Sequence, residues 1–160
     1  MKRYEAKWSK LLIGVSFFLT VLCVGIAIAV AQRSSGALWW LAGLPVALAL
    51  GCAFFAIRGY TVTPDAILVH RLLWATQLPV AGLESAQYVP NAMRRSIRTF
   101  GNGGFFSFSG FYWNKALGAY RAYVTDPSRT VVLRYRSSRT VLLSPAEPET
   151  FVRELADMRI

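Results

Sequence analysis

The stretch ALALGCAFFAIRGYTVTPDAILVHRLLW, residues 47–74, changes its pattern at Arg58, and the fold turns on that change. Before Arg58 the residues are apolar without interruption. After it they alternate, and turn residues break the run. Unbroken apolar sequence belongs to a buried or membrane helix, whereas a period of two belongs to strands half-exposed on a sheet. Tyr60–Thr63, the turn residues Pro64 and Asp65, and Ala66–Trp74 read as a β-hairpin. Strand alternation puts Ile67, Val69 and Arg71 on one of its faces and Leu68, His70 and Leu72 on the other.

Toward the N-terminus the apolar character deepens. No charged residue occurs from Leu11 to Ala31 or from Gly36 to Ile57. Each run reaches the roughly 20 residues a helix needs to cross hydrocarbon. The 160 residues are 54% hydrophobic, more than an ordinary soluble domain carries. The expectation is a transmembrane hairpin over residues 1–57, with spans at about 11–31 and 36–57. Lys2, Arg3, Lys7 and Lys10 precede the first run and Arg58 follows the second, while the connection carries only Arg33. Positive charge stays inside, so both termini are expected in the cytoplasm. Tyr4, Trp8, Trp39, Trp40 and Tyr60 stand where interfacial aromatic belts form. A cleaved signal peptide ending at Ala29-Val30-Ala31 is the competing reading, although the first run exceeds the roughly 7–15 residues of a signal core.

Toward the C-terminus, residues 58–160 read as a β-domain. QLPVAGLESAQYV offers one or two strands. In GNGGFFSFSGFYWNKALGAY, residues 101–120, glycines mingle with aromatic rings: Phe106, Phe108 and Tyr112 share one parity, and Phe105, Ser107, Ser109, Phe111 and Trp113 the other. That pattern suits a bent, half-buried strand. AYRAYVT, TVVLRYR and RTVLL follow as three successive antiparallel strands. Ser144-Pro145-Ala146-Glu147 reads as a capping box, and Phe151, Val152, Leu155 and Met158 form the apolar face of a closing helix. The fold class is therefore membrane-anchored α+β, with about seven strands in a curled barrel around one core, plugged by a C-terminal helix.

These segments together, above all Gly118–Asp126 (GAYRAYVTD) and Ser144–Val152 (SPAEPETFV), resemble the bacterial pleckstrin-homology-like domains that occur behind transmembrane hairpins. The resemblance covers about Arg58 to Ile160. It implies the barrel fold, a bacterial inner-membrane location and a non-enzymatic binding or scaffold role. Eukaryotic relatives bind phosphoinositides through a basic first hairpin. The matching turn here, Thr63–Ala66, has no lysine or arginine, so that activity is not carried over.

Chemical motifs are sparse. A phosphate loop needs G-x-x-x-x-G-K-[ST], and Gly104 and Gly110 are spaced wrongly and followed by Phe111. His70 is the sole histidine. Cys23 and Cys52 fall inside the two apolar runs, and no zinc-type spacing exists. No cofactor, metal or nucleic acid is expected; an enzyme with an unrecognised site would depend on His70 or Glu84. Positive charge remains, since the chain carries 18 Lys and Arg against 8 Asp and Glu. Arg94, Arg95 and Arg98 could form a face for anionic lipid head groups, with Met93, Ile97 and Phe100 touching lipid; solvated edge residues are the plainer account. Phe111, Tyr112 and Trp113 could line a groove for a protein partner. Alternatively the chain is a small subunit or regulator whose spans pack in a larger membrane complex through glycines 14, 25, 43 and 51.

Overall fold

The computed structural model describes residues 2–33 and 40–158. The second expected span, 36–57, therefore begins outside the described residues. A short strand, β1 (Lys2–Glu5), opens the chain and is followed by helix α1 (Lys10–Arg33) and helix α2 (Gly43–Phe54). Then come β2 (Gly59–Val62), β3 (Ala66–His70), β4 (Ala75–Pro79), β5 (Leu83–Tyr88), β6 (Ile97–Gly103), β7 (Phe108–Asn114), β8 (Gly118–Val124), β9 (Val131–Tyr135), β10 (Thr140–Leu143) and helix α3 (Pro148–Asp157). The strands form one sheet in the order β1-β2-β3-β4 and another in the order β5-β9-β10-β8-β7-β6.

Among the described residues, α1 is the one helix long and apolar enough to cross a membrane. At about 1.5 Å per residue α2 spans only about 18 Å, short of the roughly 30 Å hydrocarbon thickness. A single 3₁₀ turn at Trp40–Ala42 precedes it.

Two features were not expected from the sequence. First, β1 pairs antiparallel with β2, Tyr4 opposite Tyr60, so residues ahead of α1 belong to the β-sandwich. Lys2 and Arg3 are strand residues as well as flanking charges. KRYE lacks a strand signature; it is held by β2's edge and by Tyr4, its one buried side chain. Second, there are ten strands among the described residues, and β8, β9 and β10 are not consecutive antiparallel neighbours. β10 lies between β9 and β8 and runs parallel to β8, Val141 opposite Arg121. The physical reason is burial. Every residue of Thr140–Leu143 is buried, and a strand covered on both faces takes a central place. The aromatic stretch splits into β6 and β7, with the loop 104–107 between them.

The main core lies between the sheets. It includes Tyr60, Val62, Ile67, Val69 and Leu78 from the first sheet and Tyr123, Leu133, Val141 and Leu143 from the second. Helix α3 closes it with Phe151 and Leu155, both fully buried. The Phe151 ring meets Tyr4 edge-on at 5.1 Å between centroids and Tyr60 at 6.4 Å. A second cluster, Tyr112, Tyr120, Val124, Val132 and Leu142, sits on the other face of the second sheet and is covered by Ala92 and Met93.

The expected capping box does not form. Helix α3 starts at Pro148, one proline later, and Glu147 at its N-cap makes no side-chain hydrogen bond. Ser144 is drawn into the core, where its Oγ accepts from the backbone N–H of Thr125 (2.8 Å) and Asp126 (3.2 Å). The Tyr60 hydroxyl completes this hub, donating to the Tyr123 carbonyl at 2.7 Å and accepting from the Ser144 N–H at 3.2 Å. Burial pushes the Tyr60 phenol up to about 12, against the opposing hydrogen bonds of Ser144 and Thr125 and the charge of Arg71. A raised phenol stabilises the fold below the ordinary tyrosine value near 10 and loses that contribution as pH climbs toward 12. Unfolding of the full chain is therefore expected to become easier by about 3 kcal/mol between pH 10 and 12 on this account alone. Tyr60→Phe should flatten that part of the profile, measured by urea unfolding at stepped pH.

Candidate functional site

Two places in the structure gather the residues that matter: the junction where the helices enter the β-sandwich, and the face of β6 and β7.

The junction is built from both helix ends. Ser9 caps α1, its Oγ accepting from the Leu12 N–H at 3.2 Å, while its own N–H donates to the Thr125 carbonyl. Leu12 and Ser16, the buried residues of α1, face the sandwich. Ser16 Oγ accepts from the Phe106 N–H at 2.9 Å, so the loop 104–107 (Gly-Phe-Phe-Ser) is the seat for the first turns of α1. Trp8 adds an indole hydrogen bond to the Ile57 carbonyl at 3.3 Å and an edge-on contact with Phe106.

At the end of α2, the Phe55 carbonyl accepts from Arg71 Nη1 at 2.9 Å and from Ser107 Oγ at 3.2 Å. Cations at a helix C-terminus satisfy orphan carbonyls and the negative end of the dipole. Arg71 also donates through Nη2 to Ser109 Oγ (2.9 Å) and through Nε toward Thr76 Oγ1 (3.4 Å). Its guanidinium lies over Phe55, Trp74 and Tyr123 at 5.4–5.8 Å from the ring centroids. Only 8% of the residue is exposed, and the one ion pair among the described residues is Arg129 with Asp126. Burial pulls the Arg71 guanidinium below the ordinary arginine range, Tyr123 opposes this, and Arg121 adds to it. Neutral acceptors, a helix end and three rings thus hold a charge that has no carboxylate partner. The alternation read from sequence put Arg71 on the face of Ile67 and Val69, where it lies; its role as a helix clamp was missed, because its acceptor is a backbone atom.

The sequence candidates on β6 and β7 are rearranged. Phe111, Tyr112 and Trp113 do not line a common groove. Tyr112 turns to the second cluster and stacks on Tyr120 at 5.9 Å, while Phe111 and Trp113 lie exposed on the opposite face. The arginine triad is divided too. Arg94 and Arg95 sit in the exposed turn before β6, Arg94 beside Met93, Phe108 and Tyr112. Arg98, on the strand, reaches back over Gly103, where an added Cβ would stand 2.6 Å from Nη1. It borders a cleft of about 410 Å³ with Cys52, Phe55 and Phe105, against the end of α2. Met93 packs inward on the second cluster, so it is unavailable to lipid in the way Ile97 and Phe100 are.

Two residues from each candidate combine into one surface. Ile97 pairs with Trp113 and Phe100 with Phe111 across β6 and β7, and cross-strand partners share a face. These four residues are 63%, 43%, 76% and 49% exposed, in that order of pairing. Arg121 stands over the Phe111 ring at 5.3 Å on the same face. β6 is one of the two outer strands of its sheet, and a bulge after Arg98 bends it. Gly101 and Gly110 face each other at the bend, where a Cβ on Gly110 would come within 2.2 Å of the Phe100 carbonyl.

His70 Nε2 lies 2.8 Å from Thr61 Oγ1 on the paired strand, and Glu84 is exposed on β5. No group of three or more potential metal ligands occurs among the described residues. Gly14, Gly25, Gly43 and Gly51 have open space where a side chain would stand.

No curated protein and no solved structure matches the chain. The profile of the bacterial PH domain family matches residues 58–158, which span β2 to α3 and contain both Arg71 and the β6–β7 face, and the chain belongs to that family.

Proposed function

We propose that this chain is a non-enzymatic, membrane-anchored binding module. The apolar runs 11–31 and 36–57, which contain α1 and α2, cross the bacterial cytoplasmic membrane as a hairpin, and the PH domain stands on the cytoplasmic side, presenting the β6–β7 face to a partner protein. The observation that carries this reading is the junction: Ser9, Leu12, Ser16, Arg71 and Ser107 fix the helix ends to the sandwich, so an apolar helix and a binding fold act as one body.

Three further features support it. Much of the surface of α1 away from Leu12, Ser16 and its side toward α2 is uncovered by protein, with Phe17, Phe18, Val21 and Ile28 exposed; lipid would cover it. The pairing of β1 with β2 holds the chain before α1 and the chain after α2 on the same side, which an even number of crossings requires. Cleavage after Ala31 would remove β1 and Tyr4 from the core, which argues against a signal peptide. Arg98, bordering the cleft at the α2 end, is the arginine of the triad best placed for anionic head groups. The outward-facing glycines of both helices favour a second reading, packing within a larger membrane complex.

A fragment beginning at Arg58 lacks β1, so the test uses the full chain. A photo-crosslinking residue at Phe100 should yield a discrete protein adduct in native membranes, and one at Lys115 on the β7–β8 turn should not. The membrane-bound chain should also resist alkaline carbonate. Release by carbonate would remove the anchor from the reading. Adducts with lipid alone would make the β6–β7 face a bilayer contact and remove the protein partner.

A further inference from the structure

We infer that the β3–β4 turn, Leu72-Leu73-Trp74, dips into the bilayer interface and sets how the PH domain sits on the membrane. The inference rests on the membrane-anchored reading above. It concerns a different surface from the β6–β7 face.

The turn is closed on itself, the Arg71 N–H donating to the Trp74 carbonyl at 2.8 Å. Its one charged side chain, Arg71, is withdrawn into the junction. What remains outside is uncharged and large: Leu73 is 71% exposed, with Leu72 and Trp74 also exposed. The Trp74 ring packs edge-on against Phe55, directly after α2, at 5.2 Å between centroids. The apolar surface of the helix end therefore continues onto the turn without a polar break. An indole beside leucines is the composition that settles at head-group level.

Helix length gives the depth. The loop 104–107 meets α1 at Ser16, and the Phe55 carbonyl ties that loop, through Ser107, to the same level as Arg71. Beyond Ser16, Phe17–Arg33 extends about 26 Å at about 1.5 Å per residue. That falls short of the roughly 30 Å of hydrocarbon, and any tilt widens the shortfall. The hydrocarbon boundary consequently lies at or below Ser16, level with the rim that carries Leu72, Leu73 and Trp74. Lipid is the one occupant consistent with this continuity and depth.

The test uses the full chain with Cys23→Ala and Cys52→Ala, reconstituted in phosphatidylcholine–phosphatidylglycerol vesicles. Single variants Leu73→Cys, Phe18→Cys and Ala116→Cys carry an environment-sensitive fluorophore. Lipids brominated high on the acyl chain should quench the label at position 73, those brominated near the chain end should quench it less, and position 116 should be unaffected. Position 18, on exposed α1 surface, should be quenched by brominated lipid whatever the turn does. Quenching at 18 without quenching at 73 overturns the inference and leaves the anchor standing. Absence of quenching at both positions overturns the anchor and the inference together.

Discussion

Arg71→Ala is expected to loosen the helices from the sandwich and to destabilise the full chain by about 2–4 kcal/mol, from the cavity and the lost hydrogen bonds. The change removes one of the two donors to the Phe55 carbonyl and the guanidinium donor to Ser109, and leaves a void among Phe55, Trp74 and Tyr123. In detergent that loss corresponds to a thermal midpoint lower by roughly 10 °C for a chain of this size. Arg71→Lys keeps the charge but cannot hold three acceptors and lie flat on the rings, so it should recover only a minor part. Proteolysis adds a readout specific to the junction: cleavage near Phe55 should accelerate before cleavage within β9 or β10. Equal acceleration everywhere would mean that Arg71 supports the core generally and does not clamp the helix.

Tyr4→Ala should cost about 3–4 kcal/mol, a core-sized penalty from a residue ahead of the apolar helix. Tyr4 is buried against Phe151, and its hydroxyl donates to Glu154 on α3. Burial, and then that carboxylate, push its phenol well above the ordinary tyrosine value. Tyr4→Phe separates the two contributions and should retain most of the stability through the ring contact. Urea unfolding of the three proteins makes the comparison. A cost near zero for Tyr4→Ala would mean that β1 is not part of the folded unit, and the family domain would then begin at β2.

Much of the domain was legible because its strands obey simple rules. The hairpin forms about the expected Pro64-Asp65 turn, with Val62 opposite Ile67. Helix α3 buries Phe151 and Leu155, as its apolar face required. What escaped the sequence depends on long-range pairing. KRYE is three-quarters charged and becomes a strand through β2. Ser144 has the spacing of an N-cap, yet a buried Tyr60 hydroxyl and two backbone N–H groups compete for its Oγ more effectively than a helix end does. Arginines near in sequence were grouped as one face, although the strand entry between Arg95 and Ile97 sends Arg98 elsewhere. The β6–β7 face could have been found by pairing the two halves of the aromatic stretch, Ile97 with Trp113 and Phe100 with Phe111. Finding it required knowing that residues 104–107 form a loop and not a continuous strand.

The pairing of Tyr4 with Tyr60 also dictates an order of assembly. β1 has no β2 to pair with until β2 has left the ribosome, and α1 and α2 are made in between. Closing a loop of that length costs only slightly more entropy than closing a shorter one, so the delay is one of time more than of free energy. Through that interval KRYE must remain unpaired, and its lysine, arginine and glutamate make it a poor template for foreign strands. β1 thus joins a sheet whose other members all come from beyond the helices, and the Tyr4–Tyr60 pairing closes only after the helical segment has been laid down.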